Sequence, residues 1–368
     1  MSGPLKGITI VEFVGIGPGP FCGMILADLG AEIIRIDRSS QHGHGNTIDF
    51  QHRSKLSLSA DLKNPNTVNE IKKLLKNVDG LIEGFRPGVM ERLGLGPEDC
   101  LEVNSNLVYG RMTGWGQDGP LAKTAGHDIN YIALTGALEA MGRKNETPPP
   151  PLNLVGDFGG GGMFLALGIV SALLNIKNGG KGQVVDAAMV DGASVLMSMF
   201  YAFKASGFWQ DERESNMLDG AAHFYDSYEC ADNKFLAVGS IEPQFYSVLL
   251  EKLEISDPKF QDQMNRDKWP ELKAVMTETI KQKTRDEWAN IFDGTDACVA
   301  PILSLSEAPE HHHMKARKSF VEIDGVIQPA PAPRFSDTTT EIQHSSVKAG
   351  QNNDEICEKF ELDRSCFS

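Results

Sequence analysis

The sequence predicts an α/β protein: a parallel sheet covered by helices on both faces, with a second, smaller α+β domain. Three observations predict it. Short β-branched apolar runs alternate with helical patterns from Ile8 to Met112. Beyond Asp157 that alternation gives way to a hairpin pattern and then to successive helical ones. The 368 residues, 41% hydrophobic and 23% charged, have globular composition and exceed one ordinary domain.

Each element has local reasons. Ile8 to Phe13 is a β-branched apolar run, followed by the Gly/Pro loop Gly15 to Pro20. Phe21 to Leu29 has helical spacing and stops at Gly30; Glu32 to Asp37 is the next strand. Leu56, Leu58 and Ala60 alternate as in a half-buried strand. Asn64-Pro65 opens a helix through Leu75, with Asn64 as N-cap and Pro65 where no backbone donor is needed. Gly80 to Phe85 and Leu107 to Met112 are further strands, and Tyr131 to Met141 is helix-like. Met163 to Asn175 reads as a buried helix, Gln183 to Ala187 as a strand, and Met189 to Ala205 as a Met- and Ala-rich helix. The polar, broken stretch Phe208 to Asn216 suits a linker. Phe224 to Ser240 reads as a hairpin with Asp232-Asn233 at its turn. Helical patterns follow at Gln244 to Leu253, Trp269 to Lys283 and Arg285 to Phe292, the last opened by the capping box Thr284 to Glu287. Phe320 to Val326 is a strand, Ile327 to Pro333 a Pro-rich return, and the tail from Thr338 to Ser368 holds one acidic helical stretch.

Lys and Arg total 35 against 50 Asp and Glu, a net charge of −15. That balance argues against nucleic-acid and anionic-membrane partners, yet leaves room for a small polyanion on a local basic patch. Six scattered cysteines without a CxxC pair suit a reducing compartment and form neither a disulfide framework nor a zinc site. The longest apolar run, Met163 to Ile176, is shorter than the ~18 residues of a membrane span, so no membrane segment is expected. The chain opens with neither a secretory nor an Arg-rich transit pattern, and Cys366-Phe367-Ser368 is not an S-K-L address.

Several constellations could carry chemistry. Gly15 and Gly17 follow a strand and precede a helix, as in a dinucleotide site, but the third glycine position of that fingerprint is Pro20. A tight Gly/Pro turn is the plainer reading. Arg35, Arg38, Arg53, Arg86 and Arg92 cluster at predicted strand ends, where parallel sheets bind ligands; they could hold phosphates or form a rim paired with Asp37, Glu83 and Glu91. His127 sits in Gly126-His127-Asp128-Ile129-Asn130-Tyr131, before a helical pattern. Asp157 ends an apolar run and precedes four glycines and a buried helix, so it is either an N-cap or a functional carboxylate beside free N–H groups. The adjacent histidines His311 to His313 cannot all face one ion on a helix. Met163, Met189, Met197 and Met199 are core filler or an adaptable apolar surface.

These residues resemble the family III CoA-transferases. The matching stretches include Gly17 to Cys22, Arg35 to Arg38, Ser59 to Lys63, Phe85 to Val89, Ala125 to Tyr131, Leu152 to Gly162, Gly182 to Asp186, Asn216 to Gly220, Gly239 to Tyr246 and Phe292 to Cys298. Within that resemblance, the histidine of Gly126 to Tyr131 marks the racemase branch, since the transferases lack it. The resemblance runs from about Leu5 to Pro333 and fades in the tail.

The resemblance implies a Rossmann-like large domain built from both chain ends and an interlocked homodimer. The domains it implies are residues 1–205, a linker at 206–222, a small α+β domain at 223–318, and a return at 319–368 that completes the large domain. It implies epimerisation of (2R)- and (2S)-2-methylacyl-CoA thioesters, without metal or separate cofactor, in a peroxisome or mitochondrion. The catalytic set it implies is His127, Asp157 and Glu242. The CoA contacts it implies are Arg38, Ser59, Ala60, Asp61, Leu62, Gly84, Phe85, Arg86, Arg92, Gly126, Asp128, Ile129, Asn130 and Tyr131. His127 and Asp157 would exchange the α-proton on opposite faces, Glu242 would orient the imidazole, and free N–H groups around Asp157 to Gly159 would stabilise the enolate. The alternative is a CoA transferase in which Asp157 attacks the thioester and forms a mixed anhydride. A third reading, a non-catalytic acyl-CoA binder, is disfavoured by the intact His/Asp/Glu set.

Overall fold

The structure, a computed structural model, describes Ser2 to Phe367. The chain divides into two compact units: residues 1–135, 151–197 and 312–368 form the first, and residues 136–150 and 198–311 the second.

In chain order the first unit begins with β1 (Thr9–Phe13), α1 (Pro18–Asp28), β2 (Glu32–Arg38), β3 (Lys55–Ala60), α2 (Pro65–Leu75), β4 (Gly80–Glu83), α3 (Val89–Arg92), α4 (Pro97–Val103), β5 (Val108–Thr113) and α5 (Asp128–Leu134). It continues with a π-helical segment (Leu154–Gly162), α6 (Met163–Lys177), β6 (Gln183–Ala188) and α7 (Met189–Leu196). Its six strands pair in the order β3-β2-β1-β4-β5-β6, every neighbouring pair parallel. This is a doubly wound sheet whose direction of winding reverses between β1 and β4, the place where such folds bind ligands.

Both faces of the sheet are covered, which explains the uninterrupted apolar strands. Ile10, Ile33 and Ile82 face a core completed by α1 and α6, while Val11, Ile34 and Leu81 face a core completed by α2. The parity follows from side chains alternating across a strand. The Asn64 N-cap is present, its side chain accepting the Asn66 N–H at 3.0 Å.

The second unit holds α8 (Ser198–Ala205), β7 (Tyr225–Glu229), β8 (Phe235–Gly239), α9 (Pro243–Lys252), α10 (Trp269–Ile280), α11 (Arg285–Phe292) and β9 (Val299–Pro301). Its antiparallel sheet, β7-β8-β9, packs Tyr228, Leu236 and Val238 against Leu249, Met276 and Trp288 of the helices. The capping box at Thr284 and Glu287 opens α11. The chain then returns to the first unit through α12 (His312–Ala316), β10 (Phe320–Ile323), β11 (Val326–Pro329) and α13 (Asn353–Phe360). Ile356, Cys357 and Phe367 are buried in the core that α2 shares, so the tail is an integral part of it.

Four local expectations are corrected. The helix expected from Tyr131 to Met141 ends at Leu134, before Gly136 with φ +79°. The single helix expected from Met189 to Ala205 is two, interrupted at Met197. The strand expected from Phe320 to Val326 is a hairpin, because Asp324-Gly325 adopts two successive positive φ values, a two-residue turn that the Asp-Gly pair signals. The apolar run expected to begin at Met163 begins at Leu154, because the glycines hide a continuous helix. Leu154 to Lys177 is 24 residues long and apolar enough to cross a bilayer by length and composition. Leu165, Ala166, Ile169 and Leu173 bury one side of it against the sheet, as in a core helix.

Candidate active site

The cleft at the switch point is built from strand ends. Residues 13–20 after β1, Arg38 at the end of β2, Gly84 to Pro87 after β4 and Met112 to Trp115 at the end of β5 line a cavity of about 700 Å³. Ala122, residues 124–127, Tyr131, Asn153, Asp157 and Met189 close it.

Buried ion pairs fix these loops. Lys55 and Glu12, both wholly buried, pair at 2.7 Å, and the same ammonium donates to the Pro20 carbonyl at 2.9 Å. Burial works against both charges, raising the Glu12 carboxyl and lowering the Lys55 ammonium, so the pair depends on its own contact. Arg111 bridges Glu83 and Glu91, each at 2.9 Å, while the other Glu83 oxygen accepts the Phe85 N–H at 2.8 Å. Those contacts shape the turn that carries Arg86 into the cleft. Burial raises Glu83 to about 7 despite Arg111.

His127 is the exposed residue just before α5, and its N–H donates to Asn130 Oδ1 at 3.0 Å. Asp157 is half-buried in the π-helical segment, and its Oδ2 accepts from Asn153 Nδ2 at 3.3 Å. Burial raises the Asp157 carboxyl, the negative charge of Asp128 raises it further, and the Asn153 hydrogen bond and His127 oppose both. Gly17, with φ +70°, runs beside this carboxylate; a Cβ there would lie 3.1 Å from Oδ2. Tyr131 closes the floor, its ring edge-on to Trp115 and its hydroxyl donating to the Gly126 carbonyl. Burial, followed by Asp157, pushes that phenol up.

The residues singled out from the sequence separate into groups. His127, Asp157, Arg38, Gly84, Phe85, Arg86, Gly126 and Tyr131 all line the cleft. Arg92, Asp61, Ile129 and Asn130 are exposed outside its lining, and Leu62 packs on the core. Ser59 and Ala60 are buried, with Ser59 Oγ engaged by His42 and Asn353. Asp128 is buried behind the cleft. Glu242 belongs to the second unit, exposed immediately before α9.

Of the two readings left open for the arginines, pairing rather than phosphate binding holds for Arg35, buried against Asp37 at 2.7 Å, and Arg53 is likewise taken up, by Asp28 at 2.5 Å and the Pro329 carbonyl, so neither is free for a phosphate. Nor is Asp157 an N-cap beside free donors. Its own N–H is bound by Asp128 Oδ1 at 2.6 Å, and the Phe158 N–H by the Asn153 carbonyl. Asn153 and Trp115 were not foreseen; the four-residue spacing from Asn153 to Asp157 is a helical signal that the following glycines mask. Among the described residues no three His, Cys, Asp or Glu side chains gather as ligands for an ion.

A family model described as CoA-transferase family III matches residues 5–353. The chain belongs to that family. It is 47% identical over 329 residues to the α-methylacyl-CoA racemase of Mus musculus, covering 89% of this chain and 85% of that protein. It is 44% identical over 362 residues to the α-methylacyl-CoA racemase of Homo sapiens, covering 98% and 94%. In fold it is similar to a CAIB/BAIF family protein from Brucella suis, with a TM-score of 0.83 at 24% identity, covering 98% of this chain and all of that one.

Proposed function

We propose that the protein is an isomerase that interconverts (2R)- and (2S)-2-methylacyl-CoA thioesters. The observation that carries the reading is the meeting of His127 and Asp157 in one cleft at the switch point of the sheet. The 44% and 47% identities to named racemases support the substrate class.

A thioester carbonyl acidifies the neighbouring C–H, and loss of that proton leaves a planar enolate. Inversion then requires a proton acceptor on one face and a donor on the other. An imidazole exchanges protons near neutrality by its nature. Asp157, raised by burial and by Asp128, retains a proton more readily than a solvated carboxyl. His127 and Asp157 take the two faces, exchanging the roles of base and acid with the direction of reaction. Arg38 and Arg86 hold CoA phosphates through charge-assisted hydrogen bonds, and Arg92 extends that patch. CoA is part of the substrate, and the chemistry draws on no separate cofactor.

Glu242 completes the catalytic set in an interlocked homodimer, orienting the imidazole of a partner. Its exposure supports this role, as do the exposed apolar side chains Leu167 and Val195. The compartment that fits the reading is a peroxisome or mitochondrion.

The experiment is proton NMR of each pure 2-methylacyl-CoA epimer with the protein in deuterium oxide. The expected result is deuterium uptake at the α-carbon with loss of configuration, no second carboxylate being added. The half-exposed Asp157 also suits attack on the thioester carbonyl, expelling CoA thiolate and leaving a mixed anhydride for an acceptor acid. Strict dependence on such an acceptor, without α-exchange, overturns the racemase reading in favour of the transferase.

A further inference from the structure

We propose that Asp128 is a positioning residue, whose buried carboxylate grips the backbone of Asp157 and ties the two proton-transfer groups into one rigid arrangement. The inference rests on the racemase reading above and gives Asp128 a role different from CoA contact.

Asp128 directly follows His127 and is the first residue of α5. It is only 6% exposed. Its Oδ1 accepts the Asp157 N–H at 2.6 Å, a short, charge-assisted contact across 29 residues of sequence. The approach depends on Gly156, where a Cβ would lie 2.5 Å from that same oxygen. One covalent step therefore separates His127 from Asp128, and one hydrogen bond separates Asp128 from Asp157. Any shift of α5 carries both groups together.

The second oxygen of this carboxylate is buried and finds no partner among the described residues. Such an oxygen costs stability, because a buried acceptor has lost water without replacement. Its charge acts on Asp157, which burial already disfavours as an anion. The other charged or titratable groups bearing on this pair come from several elements. They are His127 before α5, Tyr131 within it, and Arg86 from the turn after β4, acting on Tyr131. Asn153 contributes a neutral donor, and the Gly17 loop no charge. Asp128 is the anion among them, so it alone both holds Asp157 and favours its protonated form.

The test compares wild type, Asp128→Asn and Asp128→Ala for α-deuterium uptake by each pure epimer across a pH series. Asp128→Ala removes acceptor and charge. Exchange of the epimer served by Asp157 should fall about tenfold or more, as expected for loss of a charged hydrogen bond. The epimer served by His127 should lose much less, and KM should stay within about twofold for both. Asp128→Asn keeps an acceptor oxygen and should recover most of the rate, while the limb of the pH profile belonging to Asp157 moves to lower pH. A merely destabilised fold would slow both epimers alike and leave that limb in place. Equal losses for the two epimers, or an unmoved limb in Asp128→Asn, overturn the proposal. If Asp128→Ala does not fold, the Asp128→Asn profile decides alone. A wild type that takes up no deuterium sinks the racemase reading, and this proposal with it.

Discussion

Single residues in this protein acquire their roles from what surrounds them. Arg38 and Arg86 reach the cleft, whereas Arg35 and Arg53 are consumed by Asp37 and Asp28. His223 shows the same dependence. It is wholly buried in the second unit, with Nε2 at 2.7 Å from the Tyr246 hydroxyl and Nδ1 without a partner among the described residues. Burial lowers its pKa from 6.5 to about 4. The folded state thus prefers the neutral ring, and the stability this confers is complete above pH 6.5. It is lost as the pH falls from 6.5 towards 4, on the order of 3 kcal/mol at most, at about 1.4 kcal/mol per unit. His52 in the first unit, lowered to about 2 by burial and by Lys55, acts in the same direction. Urea midpoints at pH 7.5 and pH 4.5 should therefore fall less steeply for His223→Gln than for wild type, even though the variant starts weaker. Parallel slopes for the two proteins would exclude His223 as an acid-labile site.

At the scale of elements, the site depends on helices packed closely enough for their backbones to touch. A Cβ on Gly192 of α7 would lie 1.8 Å from the Gly160 carbonyl oxygen, and one on Gly162 would lie 2.8 Å from the Pro18 carbonyl. The π-helical segment that carries Asp157 is thus wedged between α1 and α7 by the absence of side chains. Gly192→Ala must push α7 away or distort that segment. Overpacking of this kind costs about 1–3 kcal/mol. We expect a fall of several degrees in melting temperature and at least a tenfold loss of turnover, with thioester binding less affected because Arg38 lies at the end of β2 and Arg86 on the turn after β4. Calorimetry and initial rates check this, and full activity in Gly192→Ala would show that the crossing does not position Asp157.

At the scale of the whole molecule, each unit has its own core, and apolar side chains remain exposed on both. Leu154, Leu167, Leu174 and Val195 are more than half exposed on the first unit, and Tyr201 on the second. Lone exposed apolar residues are ordinary, but Leu154, Leu167 and Leu174 follow one another along a single continuous helix, a face that the proposed homodimer would cover. If the protein is the proposed homodimer, folding and association are linked, and the melting temperature should rise with protein concentration. Thermal scans over a hundredfold range of concentration, with sedimentation alongside, measure this. A fully active monomer with a concentration-independent transition would remove the dimer.

The alternation of strand and helix was legible because burying both faces of a sheet demands continuous apolar strands, a pattern written in neighbouring residues. The Asn64 cap and the Thr284–Glu287 box were legible for the same reason, since their hydrogen bonds close within three residues. Residues Gly159 to Gly162 carried no such pattern; only packing against Pro18 and Ala193 reveals the helix through them. The fate of the arginines was also beyond local reading. Arg35 and Asp37 share a strand face, but the Val347 carbonyl that completes the Arg35 site is 312 residues away, and the Arg53 partner Gln328 is 275 away. His127 and Asp157 were singled out through the family resemblance, their local patterns leaving a structural histidine and an N-cap open, while the Asp128 contact that joins them exists only when α5 meets the π-helical segment. Propensity and capping act over a few bonds and so reside in the sequence, whereas burial, charge and proton affinity depend on which distant segments the fold brings together.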